Sequence, residues 1–65
     1  MASLQDSQLS AIAATIEDLS GRVASLAEDL QGDGWADPAT ALFEVERSLR
    51  MAQRSIDRAR RGLPD

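Results

Sequence analysis

Apolar residues recur along two stretches of this chain at gaps that alternate between three and four residues. The first run occupies positions 9, 12, 16, 19, 23, 26 and 30, and the second occupies positions 42, 45, 49, 52, 56, 59 and 63. This spacing places apolar side chains on one stripe of an α-helix, with the seven-residue period of helices that pack side by side. The chain is therefore predicted to form two long helices with matching apolar stripes.

Glycine and proline residues indicate where the two helices begin and end. Gly32 follows the first run, at the position where a helix commonly ends in a left-handed residue. Asp37 and Pro38 are typical of an N-cap followed by the first residue of a helix, and Gly62 and Pro64 close the second helix. The predicted helices cover residues 4–31 and 38–61, and residues 32–37 form the turn between them.

The short turn makes the second helix fold back along the first. The predicted fold class is all-α, an antiparallel two-helix coiled-coil hairpin that forms one domain over residues 1–65. The expected register pairs Leu9 with Ala59 at the open end and Leu26 with Leu42 near the turn. The predicted hairpin core consists of Leu9, Ile12, Ile16, Leu19, Val23, Leu26, Leu30, Leu42, Val45, Leu49, Ala52, Ile56 and Ala59.

Self-association is expected because a two-helix chain of 65 residues buries little apolar surface and has no cysteine for a stabilising disulfide. Small residues flank both apolar stripes and allow further helices to pack closely. The charges also complement each other, since residues 1–37 carry a net charge of −6 and residues 38–65 a net charge of +2. We expect a homodimer that forms a four-helix bundle.

The composition argues against catalysis, cofactors and metal ions. Cysteine and histidine are both absent, so the usual zinc ligands, thiolate nucleophiles and side chains that titrate near neutral pH are missing. No apolar run reaches the length of about 18 residues that predicts a membrane-spanning helix. We predict a non-enzymatic protein in the cytoplasm, without cofactor, metal or membrane contact. Eleven alanines and no lysine favour a GC-rich bacterial genome.

A stripe of arginines follows the outer face of the second helix, and it consists of Arg47, Arg50, Arg54, Arg58 and Arg61. Such a stripe suits phosphate groups or nucleic acid, but acidic residues are interleaved with it and the net charge is −4. Glu46 and Asp57 each precede an arginine by four residues, as Asp18 precedes Arg22, and this spacing favours ion pairs along a helix. A solvated, salt-bridged face is the favoured interpretation, and an acidic protein partner or a nucleotide is the alternative.

Five polar residues of the second helix resemble the ligand-binding pattern of certain actinobacterial anti-sigma factors. Those proteins are antiparallel coiled coils that bind cyclic di-GMP through spaced Glu, Ser, Arg, Gln and Asp. The same order occurs here in Glu44, Ser48, Arg50, Gln53 and Asp57. The arginine and glutamine stand at different intervals and the first helix has no full copy, so the resemblance assigns no ligand role.

Three large side chains do not belong to the predicted core. Phe43 and Met51 lie off the apolar stripe, and they are expected either to be buried in the homodimer or to bind another protein. Trp35 lies in the turn, where it either covers the end of the hairpin, which is the favoured interpretation, or serves as an exposed anchor for a partner. The candidate partner-binding residues are Trp35, Phe43, Arg47, Met51, Arg54 and Arg58.

The function predicted from the sequence is that of a small protein–protein interaction module, acting as a regulator, adaptor or assembly subunit through a homodimeric bundle. The alternative is a regulatory protein that responds to a nucleotide or nucleic acid through the arginine stripe. Salt-dependent binding of a polyanion would favour the alternative.

Overall fold

The computed structural model describes residues 3–64 and consists of two α-helices packed side by side. Helix α1 spans Leu4–Gly32 and helix α2 spans Ala36–Arg61. The three-residue connection makes them antiparallel, and the Cα atoms fill a rod of 50 × 14 × 9 Å. No strand occurs within residues 3–64. The prediction of an all-helical hairpin is therefore confirmed.

Hydrogen bonds at both ends define helix α1. Ser3 is the N-cap, and its side-chain oxygen accepts a hydrogen bond from the backbone N–H of Asp6 at 3.0 Å. At the other end, the N–H of Trp35 donates to the carbonyl of Leu30 at 2.8 Å, and Gly34 adopts a left-handed φ of +87°. This is the Schellman arrangement, in which glycine is favoured because it lacks a Cβ. The sequence prediction placed the left-handed residue at Gly32, but Gly32 is the last helical residue.

Helix α2 begins two residues earlier than the sequence predicted. Trp35 is its N-cap and makes no side-chain capping bond, while its carbonyl accepts from the N–H of Ala39 at 3.1 Å. Asp37 and Pro38 lie in the first turn, where the lack of an N–H in proline and the negative charge of aspartate are both compatible with a helix. The prediction that Asp37 caps this helix was wrong, because Gly34 reverses the chain and allows the helix to begin immediately after Trp35.

The interface between the helices contains half of the predicted core. The buried and half-buried residues of the interface recur with the seven-residue period. In each helix, alternate members of this series belong to the apolar run that was predicted from the sequence. In α1 they are Leu9, Ala13, Ile16, Ser20, Val23, Ala27 and Leu30. In α2 they are Ala39, Leu42, Glu46, Leu49, Gln53, Ile56, Arg60 and Leu63, the last of which follows the helix.

The other half of the predicted core lies beside the interface, where its members are exposed or only half-buried in this single hairpin. In α1, the interface position next to each displaced large residue is occupied by the smaller residue that follows it in the sequence. Ala27, which follows Leu26, is fully buried in this way. Small side chains allow the helices to approach closely, and two helices present only about two rows of side chains to each other. The predicted core residues displaced in this way are Ile12, Leu19, Leu26, Val45, Ala52 and Ala59.

Candidate interaction surfaces

The displaced residues lie on one side of the hairpin, called the apolar face, which consists of Ile12, Leu19, Leu26, Val45, Ala52 and Ala59. Each of them follows an interface residue by three positions, as Leu19 follows Ile16 and Ala52 follows Leu49. In antiparallel helices, positions with the same offset from the interface lie on the same side of the hairpin. The groove on the opposite side shows this rule, because Glu17 and Arg50 both line it and each follows an interface residue by one.

The apolar face is open to solvent in the single chain. The four large side chains, Ile12, Leu19, Leu26 and Val45, retain between 39% and 52% of their accessible surface. On α2 this face is bordered by a row of small exposed residues, Ala41, Ser48, Ser55 and Gly62. Nothing bulky on α2 therefore prevents another helix from lying against this side of the hairpin.

A second surface lies on the other side of α2. It is called here the arginine face, and it consists of Phe43, Arg47, Arg50, Met51 and Arg54, which together line one open groove with Glu46. Phe43 is half-buried, whereas Met51 keeps 58% of its surface exposed.

Ion pairs neutralise part of the positive charge on α2. Arg50 lies 3.3 Å from Glu46, so this predicted pair along the helix is confirmed, as is the pair between Arg22 and Asp18 at 3.8 Å. Arg58 donates to the hydroxyl of Ser55 at 3.0 Å and does not line the groove of the arginine face.

Other arginines of the predicted stripe form no salt bridge with the described residues. Within residues 3–64, neither Arg47 nor Arg54 forms a salt bridge, and the predicted pair between Asp57 and Arg61 is not formed. Positive charge on the arginine face is therefore only partly neutralised.

Several polar residues at the interface were not predicted from the sequence, among them Gln53 and Arg60. Gln53 lies between the helices, and its side-chain oxygen Oε1 is buried without a hydrogen-bond partner in the described part of the chain. Arg60 reaches across to α1, where its Nε donates to Oδ1 of Asp6 at 3.2 Å. An apolar periodicity cannot reveal such residues, because they occupy interface positions with polar side chains.

Trp35 does not cover the end of the hairpin. It is 62% exposed, so most of its surface is in contact with solvent. The favoured interpretation of Trp35 was therefore wrong. Its backbone forms hydrogen bonds through both the N–H and the carbonyl.

The apolar face and the arginine face expose apolar and charged side chains to a binding partner. Among residues 3–64, no group of three or more Asp or Glu side chains is placed to hold a metal ion. Neither described helix has an apolar stretch long enough to cross a membrane. Comparison with known proteins identifies no matching family model, no similar curated protein and no similar solved structure. The apolar and arginine faces are therefore the features from which a function can be argued.

Proposed function

We propose that this protein is a small non-enzymatic protein–protein interaction module, a regulator, adaptor or assembly subunit, and that it acts as a homodimer. In the dimer, the apolar faces of two hairpins pack against each other to form a four-helix bundle. The observation that carries the proposal is the exposure of Ile12, Leu19, Leu26 and Val45 on one side of a hairpin that has few other residues to bury.

A second copy of the chain is the occupant that fits this face best. The exposed rows continue the seven-residue period of the interface, so each hairpin presents the stripe that helices of a bundle pack into their shared centre. The buried residues within positions 3–64 are three alanines, and no large side chain in this range is fully buried. Pairing through the apolar face would cover four large side chains per copy, each contributing about 1 kcal/mol or more when half of its surface is removed from water.

Binding of a nucleotide or nucleic acid is the second candidate function. The observation in its favour is that Arg47 and Arg54 form no salt bridge within the described residues. Carboxylates weigh against it, because Glu46 lines the same groove and Glu17 lines the neighbouring one, and both would repel phosphate groups. We therefore rank it below protein binding.

Sedimentation equilibrium tests the homodimer directly. At micromolar concentration the mass should be twice that of the 7.0 kDa chain, and the thermal midpoint should rise as the protein concentration rises, because dimerisation is linked to folding. A chain that sediments as a monomer and keeps one thermal midpoint over a hundredfold dilution would contradict the proposal.

A further inference from the structure

The arginine face and the apolar face lie on opposite sides of α2. Starting from the interface residue Leu42, Phe43 lies about 100° round the helix in one direction, and Val45 lies about 60° in the other. Met51 follows the interface residue Leu49 by two positions and therefore points away from α1. A dimer formed through the apolar face leaves Phe43 and Met51 on the outside of the bundle, so pairing of copies does not explain these side chains.

The arginine face combines apolar and positively charged groups in one groove. Phe43 and Met51 lie eight residues apart on the same helix, with Arg47 midway between them and Arg50 and Arg54 alongside. Arg50 is two-thirds exposed even though it pairs with Glu46. Aromatic, methionine and arginine side chains are the types enriched where proteins bind each other.

We propose that the arginine face binds a helical segment of another protein, one that carries acidic residues together with a large apolar residue. The inference rests on the proposed function and names the class of partner. Acidic side chains on the segment pair with Arg47 and Arg54, which have no such partner within residues 3–64. The apolar side chain lies between Phe43 and Met51, in the manner of a helix bound to a groove.

Carboxylates in and beside the groove favour an acidic helix over a nucleic acid. Glu46 lines the groove, and Glu17 of α1 lines the adjoining one together with Arg50 and Arg54. A helix can place its acids beside the arginines and keep them away from these two glutamates, whereas a nucleic acid carries a charge on every phosphate. Phe43 is half-buried, so only part of its side chain is accessible to a bound molecule.

An unbiased helix library tests the proposal without a known partner. Helical peptides with randomised surface positions are displayed on phage and selected against the wild-type protein. The selected peptides should be enriched in Asp or Glu and in at least one large apolar residue. Fluorescence anisotropy of a selected peptide should show at least tenfold weaker binding to the variants Arg47→Glu, Arg54→Glu and Met51→Ser.

Arg22→Glu is the matched control, because it makes the same change in net charge on an exposed arginine of α1. It should alter peptide binding by less than threefold. The same anisotropy measurement with a DNA duplex and with single-stranded RNA should show no binding that depends on Arg47 and Arg54. The proposal is overturned by peptides without acidic bias, by no peptides at all, or by nucleic-acid binding that the two charge reversals abolish.

The dimer is assayed separately from the peptide. Sedimentation should give the same mass for the wild type and for Arg47→Glu and Arg54→Glu, because these residues lie away from the apolar face. A dimer that binds no acidic peptide would overturn this inference alone, whereas a monomer would overturn the proposed homodimer.

Discussion

Arg60 and Asp6 lie 54 residues apart in the sequence, yet they form a hydrogen-bonded ion pair of 3.2 Å across the open end of the hairpin. This contact joins the first turn of α1 to the last turn of α2, where the chain itself provides no connection. Both side chains are about one-third exposed. The pair thus holds together the end of the hairpin that is opposite the turn.

The first prediction concerns this ion pair. Asp6→Asn, Arg60→Gln and the double variant should give a coupling energy of about 0.5–1 kcal/mol in a double-mutant cycle, because partly exposed pairs contribute little. Molar salt should reduce the coupling by screening the charges. Hydrogen exchange of each variant should show faster exchange of backbone amides in the terminal turns than in the wild type. Protection of the amides near residue 30 should be unchanged. Equal loss of protection along both helices would show that the pair has no local role.

The second prediction compares two side chains of similar exposure, Leu26 on the apolar face and Met51 on the arginine face, which are 52% and 58% exposed. Leu26→Gln should weaken the proposed dimer by about 2–4 kcal/mol, roughly 30- to 1000-fold in its dissociation constant, because each dimer would lose two apolar contacts. Met51→Gln should change that constant less than threefold. Sedimentation over a concentration series measures both variants. Equal effects would contradict the assignment of the dimer interface to the apolar face.

The existence of both helices, and their bounds to within two residues, could be predicted from the sequence, but their rotation could not. The predicted end of α1 is one residue from Gly32, and the two apolar runs contain most of the side chains that pack or line the apolar face. Periodicity alone does not say which rows meet the other helix. Whether Leu26 or Ala27 faces α2 depends on how closely the helices approach, and small side chains favour Ala27.

The polar residues at the interface could not be predicted from the spacing of apolar residues. Gln53 and Arg60 occupy the same heptad row as Glu46, and the sequence alone gives them the appearance of surface residues. The arginine face was only partly anticipated. Phe43, Arg47, Met51 and Arg54 were candidates and line one groove, whereas Trp35 and Arg58 lie outside it.

The third prediction concerns the buried oxygen of Gln53. Gln53→Met should raise the free energy of unfolding by about 1 kcal/mol, since the variant keeps a similar shape and removes an acceptor that has no partner among the described residues. Urea unfolding at a fixed protein concentration measures the change. Gln31→Met is the control at an exposed helical position and should shift stability by less than about 0.5 kcal/mol. A destabilised Gln53→Met protein would mean that the amide is satisfied in solution.

The fourth prediction compares two glycines that both have room for an added Cβ atom but differ in backbone conformation. A Cβ at Gly21 or at Gly34 would meet no atom within 4 Å, but Gly34 has a φ of +87° and Gly21 is helical. Gly21→Ala should stabilise the protein by about 0.5–1 kcal/mol through helix propensity. Gly34→Ala should destabilise it by about 1 kcal/mol because of the left-handed backbone. Thermal unfolding of both variants measures the two effects, and changes of the same sign would show that the turn adopts another conformation.

The last prediction concerns Trp35, the only tryptophan of the chain, whose side chain is 62% exposed. Its fluorescence should be red-shifted and readily quenched by iodide, since the indole is in contact with water. Trp35→Ala should change the free energy of unfolding by less than about 0.5 kcal/mol, because the residue contributes backbone hydrogen bonds that alanine retains. Quenching should also be independent of protein concentration, because the proposed dimer would form through side chains away from the turn. Blue-shifted, shielded emission with a destabilised alanine variant would instead place the indole over the end of the hairpin. Shielding that appears only at high protein concentration would extend the contact between copies to the turn.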